Sequence, residues 1–234
     1  MNIENSKILV TGGSLGIGKE TAKQLVEQGA TVVITGREKS RIEQSAKEIG
    51  AIPLVFDIAD INSIEEKSKE CIALLGGKID GLINNAGIGV FTKLGELSIE
   101  DFNKVYTTNV YGLALLTQEI VKEFKNQNYG NIINIGSTAS QKGFVGGTIY
   151  ASSKFALRGM TQSWQAELRK YNIRVSLINP SEVTTAFANE ERIEREEINN
   201  KLNSEEIAHT IISSLKMRDR GFIPEINIWA TNPF

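Results

Sequence analysis

The stretch KILVTGGSLGIG, Lys7 to Gly18, decides the fold. Ile8, Leu9 and Val10 form an apolar run of strand length, two of the three β-branched, after which glycine takes over at 12, 13, 16 and 18. Past Gly18 the pattern turns helical: Ala22, Leu25 and Val26 share one face, and the run stops at Gly29. A strand feeding a helix through glycines allows a tight turn and close backbone approach to a ligand. The helix amides and dipole then face negative charge such as a pyrophosphate. The glycines at 12, 16 and 18 lack the G-x-G-x-x-G spacing of the dinucleotide fingerprint, so the turn alone leaves the ligand open. These three are expected to matter more than Gly13.

The same rhythm continues outward. Strand runs are expected at 7–12, 31–35, 52–56, 81–84, 131–135, 173–178 and 225–229, with helical stretches between most of them. One long helix is expected after Ser98, with a stripe of Phe102, Tyr106, Asn109, Leu113, Leu116, Ile120 and Phe124; another runs from 149 to about 170. Alternating β and α with mostly apolar strands implies an α/β fold, a doubly wound Rossmann-type parallel sheet of about seven strands with helices on both faces. No repeat or linker composition interrupts it, so residues 1–234 read as one domain. Only 184–203 breaks the pattern: Glu190, Glu191, Glu194, Glu196 and Glu197 interleave with Arg192 and Arg195. It reads as a solvated helix face, as a lid over a site at a strand's carboxyl end, or as both.

Bulk properties exclude several classes. A net charge of −2 gives no general attraction to nucleic acid or anionic membrane. One cysteine, Cys71, allows no internal disulfide and reads as a core thiol. With one histidine besides, Cys/His zinc clusters are impossible and no metal site is expected; His209 has a structural place in an amphipathic helix. No apolar run reaches membrane-span length and no secretory leader opens the chain, so a cytoplasmic protein is expected.

Gly12-Gly13-Ser14-Leu15-Gly16 also matches G-x-S-x-G, the nucleophile elbow of α/β-hydrolases, with Ser14 as nucleophile and His209 as its base. An elbow normally follows several strands, whereas this turn follows the first. The hydrolase is the remote alternative.

Four further pieces stand in order with the turn. Asn84-Asn85-Ala86-Gly87 ends the fourth strand, Asn109 lies in TNVYG, Ser137 follows NIINIG, and Tyr150-Ala-Ser-Ser-Lys154 comes thirteen residues after that serine. With T-G-x-x-x-G-x-G from Thr11, the set spans 7–185 and resembles the short-chain dehydrogenase/reductase family. The resemblance implies catalytic roles for Asn109, Ser137, Tyr150 and Lys154, Asn109 through a water-linked proton path to the lysine. It implies cofactor contacts from Gly12, Ser14, Gly16, Ile17, Gly18, Arg37, Asp57, Asn85, Ala86, Gly87, Tyr150, Lys154, Pro180, Val183 and Thr185. It also implies a homodimer or homotetramer, built through the helices starting near Ser98 and Ile149. One departure stands out: Ser181 follows Pro180 where the family usually has glycine.

These residue types suit hydride transfer. Tyr150 and Lys154, four apart, share a helix face above the apolar Leu157, Met160, Trp164 and Leu168. A lysine heading such a stripe either snorkels beside a packed tyrosine or has a function that offsets its burial. An ammonium beside a phenol is expected to lower its pKa, so Tyr150 can exchange a proton with an alkoxide while Ser137 donates to the developing charge. Asn109, on an apolar stripe, must have its amide bonded, which a purely structural role would also explain. At the end of the second strand Gly36 stands where a NAD-binding protein carries an acid. Arg37 beside it suits a 2′-phosphate, so NADP(H) is expected rather than NAD(H). The expected reaction is reduction of a ketone, aldehyde or 3-oxoacyl compound, or its reverse on a secondary alcohol. Phe91, Phe144, Val145 and Phe187 should lie near an apolar substrate. A binding-only sensor or scaffold is the alternative from another class.

Overall fold

The computed structural model describes every residue except Ala188, Glu190 and Phe234. Seven strands, β1 (Lys7–Val10), β2 (Thr31–Gly36), β3 (Ile52–Val55), β4 (Gly81–Asn84), β5 (Gly130–Ile135), β6 (Ile173–Pro180) and β7 (Glu225–Ile228), form one sheet ordered β3-β2-β1-β4-β5-β6-β7. Every pairing is parallel. The order reverses between β1, which leads across to β2, and β4 on its other side. That switch opens a crevice at the strands' carboxyl ends.

Side-chain alternation assigns the faces. Ile8, Val10, Val32, Ile34, Ile83, Ile133 and Ile178 pack under α1 (Gly16–Glu27), α2 (Lys39–Ile49) and α7 (Ser204–Leu215). Leu9, Val33, Leu82, Ile132, Val175 and Leu177 pack under α3 (Ile64–Leu74), α5 (Leu113–Asn126) and α6 (Thr148–Leu168). Leu25 on α1 and Phe124 on α5 are fully buried, one in each layer. Cys71 is buried in the second layer, its thiol pushed up to about 12 by burial, and is inert as read.

The long helix expected after Ser98 is not continuous. It comprises α4 (Ile99–Tyr106), a π turn (Thr107–Gly112) and α5. The π turn shifts the register, so Val105 is buried while Phe102 and Tyr106 are only half covered; Leu113, Leu116, Ile120 and Phe124 keep their inward places. The turn ends on Gly112, where a side chain has no room: a Cβ there would lie 2.0 Å from the Ile58 carbonyl oxygen. The described residues of 184–203 form no helix, correcting the helix-face expectation; Glu190, also named in that stretch, lies outside the described residues. They form an irregular strap, closed at its base by a bridge from Val183 to Leu202 and by Thr184 N–H donating to Leu202 O at 2.9 Å.

Candidate active site

The crevice is a groove of about 850 Å³ running from the glycine turn, past the ends of β2 and β3, to the ends of β5 and β6. Gly12 and Gly16 have φ of +64° and +53°, which disfavours any residue with a Cβ. Gly18 is needed for space: a Cβ would sit 2.3 Å from the Gly12 carbonyl oxygen and 2.4 Å from Asn85 Nδ2. Gly13 departs from expectation, since its Cβ would lie 2.6 Å from Ile34 Cβ. It is as constrained as its neighbours, by the sheet beneath rather than by a ligand above.

Asn85 Nδ2 donates to the carbonyls of Thr11 and Gly12 at 2.9 and 3.0 Å, and Thr11 Oγ1 accepts from the amides of Asn85 and Ala86. Asn85 is therefore a latch shaping the turn, and Thr11, its partner, is a site residue that the sequence reading passed over. The Gly16 amide donates to a carboxylate oxygen of Glu194 at 2.6 Å, and the other oxygen accepts from Ala186 N–H at 3.0 Å. The turn's outward amide thus meets an anionic group of the chain itself. Gly12, Ser14, Gly16, Ile17, Arg37, Asp57, Asn85, Ala86, Gly87, Pro180, Val183 and Thr185 all line the groove, while Gly18 lies beneath it. Together with that bound carboxylate, this wall fits a dinucleotide laid across the strand ends.

The far end brings together the residues expected to be catalytic. Ser137 follows β5 and opens a short 3₁₀ turn (Thr138–Ser140), its hydroxyl accepting from Ala139 N–H and its amide donating to Ser140 Oγ and Asn179 Oδ1. Tyr150 and Lys154 enter from the first turns of α6, 8% and 6% exposed. Lys154 Nζ donates to Ile135 O at 2.8 Å and lies 5.8 Å from the Tyr150 ring centre. Burial pushes the Tyr150 phenol up to about 12, opposed by its hydrogen bond with Ser137, and holds Lys154 down to about 8. The expected lowering of the tyrosine by the lysine is thus not found: burial raises the phenol, and the hydrogen bond with Ser137 is what opposes it. The pair is poised as phenol and ammonium with the lysine near its titration point.

Asn109 lies in the π turn, its Nδ2 donating to Ile88 O and Ser153 Oγ and its Oδ1 accepting from Ile88 N–H. Among the described residues it makes no hydrogen bond with Lys154; both side chains flank Gly87, within 3.4 and 3.8 Å of where a Cβ would stand. Phe91, Phe144 and Phe187 wall the open end, Phe91 and Phe187 with ring centres 5.4 and 5.6 Å from Tyr150. Val145, expected with them, is 89% exposed and outside the groove. Ser181 donates its amide to Ile228 O and has no positive φ, so this position makes no demand for glycine. His209 is exposed on α7 and absent from the groove that Ser14 lines, so the hydrolase reading has no base and fails.

A family model described as short chain dehydrogenase matches residues 6–196. The chain belongs to that family. As a short-chain dehydrogenase it is 31% identical, over 98% of its length and 94% of the relative's, to an NADP-dependent 3-hydroxy acid dehydrogenase of Schizosaccharomyces pombe. A 3-oxoacyl-(acyl-carrier-protein) reductase of Thermotoga maritima is 34% identical over 79% of this chain and 77% of its own. Among solved structures, an alcohol dehydrogenase of Thermococcus sibiricus complexed with 5-hydroxy-NADP superposes with a TM-score of 0.90 at 25% identity, covering 97% of both chains. No helix among the described residues of this short-chain dehydrogenase is long and apolar enough to cross a membrane.

Proposed function

We propose that this short-chain dehydrogenase is an NADP(H)-dependent oxidoreductase that interconverts a small carbonyl compound and its secondary alcohol. The observation that carries the reading is the meeting of Ser137, Tyr150 and Lys154 at one end of a dinucleotide-sized groove, against an aromatic wall. When bound, the nicotinamide supplies or accepts a hydride. Tyr150, held as a phenol by burial, gives its proton to the oxygen of a carbonyl being reduced and takes one back in the reverse direction. Ser137, bonded to that phenol, donates to the same oxygen as charge grows there. Lys154 supplies positive charge beneath the pair. Asn109 contributes by fixing Ile88 and Ser153 around Gly87, beside the lysine.

The preference for NADP(H) rests on Gly36 and Arg37 at the groove's adenosine end, and it accords with the NADP named for the Schizosaccharomyces relative and the NADP analogue held by the Thermococcus neighbour. The substrate class follows from the wall of Phe91, Phe144 and Phe187 and from relatives acting on 3-hydroxy and 3-oxoacyl compounds: a carbonyl carrying an apolar chain. Exposed Ile99, Tyr111, Leu115 and Phe155, on α4, the π turn, α5 and α6, favour assembly with further copies of the chain.

The test is NADPH consumption with 3-oxo esters, ketones and aldehydes of increasing chain length, repeated with NADH. Turnover with NADPH well above NADH is the expected result. Tight NADPH binding without turnover on any carbonyl would make the protein a sensor instead. Gly36→Asp with Arg37→Ser should move preference towards NADH; an added Cβ at 36 comes only to 3.3 Å of Ile42 Cδ1, which a small shift relieves.

A further inference from the structure

The adenosine end of the groove has a second wall made by the strap. Four guanidiniums line the groove, those of Arg37, Arg41, Arg192 and Arg195. Two are already engaged: Arg41 pairs with Glu38 at 2.9 Å, and Arg195 with Glu182 at 3.1 Å. Arg37, at the end of β2, and Arg192, on the strap, have no ion-pair partner among the described residues. Arg192 is half-buried; burial lowers its pKa, and the positive charges of Arg37 and Arg41 lower it further. Unpaired like charges held together in a protein mark a place where an anion belongs.

The strap is also held where this requires. Two residues beyond Arg192, Glu194 meets the amides of Gly16 and Ala186; the Ala186 contact and the Val183–Leu202 bridge do not involve the glycine turn, so they keep residue 192 beside the groove when a phosphate takes the Gly16 amide. The Arg192 backbone has φ of +55°, a left-handed conformation that an arginine adopts only where its surroundings impose it. Of the acids nearby, Glu38 is taken by Arg41, Asp57 accepts from the Ala59 amide, and Glu191 is exposed.

We propose that Arg192 is a specificity-determining residue: carried on the strap, it closes against Arg37 to hold the 2′-phosphate of NADP(H). The assignment rests on the NADP(H) reading above and adds a residue to it from a distant part of the chain. A phosphate monoester carries close to two negative charges near neutral pH and presents three oxygens, which suits two planar, forked donors approaching from opposite walls. Arg37 directly follows the last residue of β2. Arg192 arrives with the strap, so the segment that borders the substrate end also reads the far end of the cofactor.

The probes are 2′-AMP, 5′-AMP, NADPH and NADH, titrated by calorimetry against the whole protein, with no turnover required. Arg192→Gln should weaken 2′-AMP and NADPH about tenfold, as loss of a charge-assisted contact does, and leave 5′-AMP and NADH within about twofold. Arg192→Lys should recover part of the loss, and its behaviour decides the matter if the glutamine variant does not fold. If Arg37→Gln loses the preference for 2′-AMP while Arg192→Gln keeps it, Arg37 alone reads the phosphate and the inference falls, with the proposed function intact. An equal loss of 5′-AMP and 2′-AMP in Arg192→Gln would also overturn it, because the residue would then only support the strap. A wild-type protein that binds 5′-AMP as well as 2′-AMP would remove the NADP(H) reading and this inference together.

Discussion

Ser137, Tyr150 and Lys154 on one side, and the strap residues Glu191 to Arg195 on the other, border the same groove by opposite means. The first three stand on the end of β5 and the start of α6; Tyr150 and Lys154 are buried, and Lys154 is bonded to a strand carbonyl. The strap has no regular structure, is mostly exposed, and is placed by side chains: Glu194 on Gly16 and Ala186, and Arg195 and Lys201 on Glu182. Proton transfer needs atoms held within tenths of an ångström, which helices and strands deliver. Recognition of a mobile ligand's charge needs a wall that can open.

The harshest way to break the comparison is to spoil the frame both regions share. Gly18→Val should abolish cofactor binding, since even its Cβ would overlap the Gly12 carbonyl, and titration with NADPH checks it. Gly13→Ala, pressing on Ile34, should lower the melting temperature as well as cofactor affinity. On the rigid side alone, Tyr150→Phe keeps the ring against Phe91 and Phe187 and removes the hydroxyl. Turnover should fall by roughly 10²–10⁴ with NADPH affinity little changed. Near wild-type turnover would defeat the proposed mechanism.

Lys154 tests how much stability the rigid side gives up. Its folded pKa is about 8 against an ordinary 10.5, so below about 8 both folded and unfolded chains hold the proton and the full burial penalty stands. Between about 8 and 10.5 the folded chain releases the proton first, and wild-type stability rises with pH on this account. Lys154→Met should therefore be inactive yet melt at or above wild type at pH 7. Its advantage, at most about 3 kcal/mol and reduced by the donor lost to Ile135 O, should shrink as pH rises past about 8. Thermal melts at pH 7 and 9.5 give the sign. The smallest effect belongs to the strap: Glu194→Gln removes the charge and leaves one acceptor oxygen for the amides of Gly16 and Ala186, so NADPH affinity should rise a few-fold, about 1 kcal/mol. Weaker NADPH binding instead would mean that the strap must stay fastened for the cofactor to be held.

The same contrast explains what could be read from the amino-acid order. Period-two and period-3.6 patterns located all seven strands, missing ends by two residues at most. β1 stops at Val10 because Thr11 and Gly12 turn to meet Asn85, a partner 74 residues on. The serine, tyrosine and lysine were legible because fixed spacing on regular elements places them. The π turn was not, and the close approach that requires Gly112 comes from the carbonyl of Ile58, remote in sequence. For Arg192 and Glu194 the charge pattern offered a lid over a site but not the contacts they make. Their positions depend on the path of an irregular segment, and Glu194 meets Gly16 across 178 residues.

Under the proposed function, that last contact would change how the cofactor comes and goes. A carboxylate carried on the chain is a built-in competitor for the Gly16 amide, and dilution cannot reduce its local concentration, which for a short tether is in the millimolar range. Association is then a substitution: with rising NADPH the observed rate should level off at the rate at which Glu194 lets go. Departure gains what arrival loses, because the same carboxylate returns to the amide as the spent dinucleotide loosens. In a family member whose turnover is limited by product release, a competitor tied to the protein speeds the slow step.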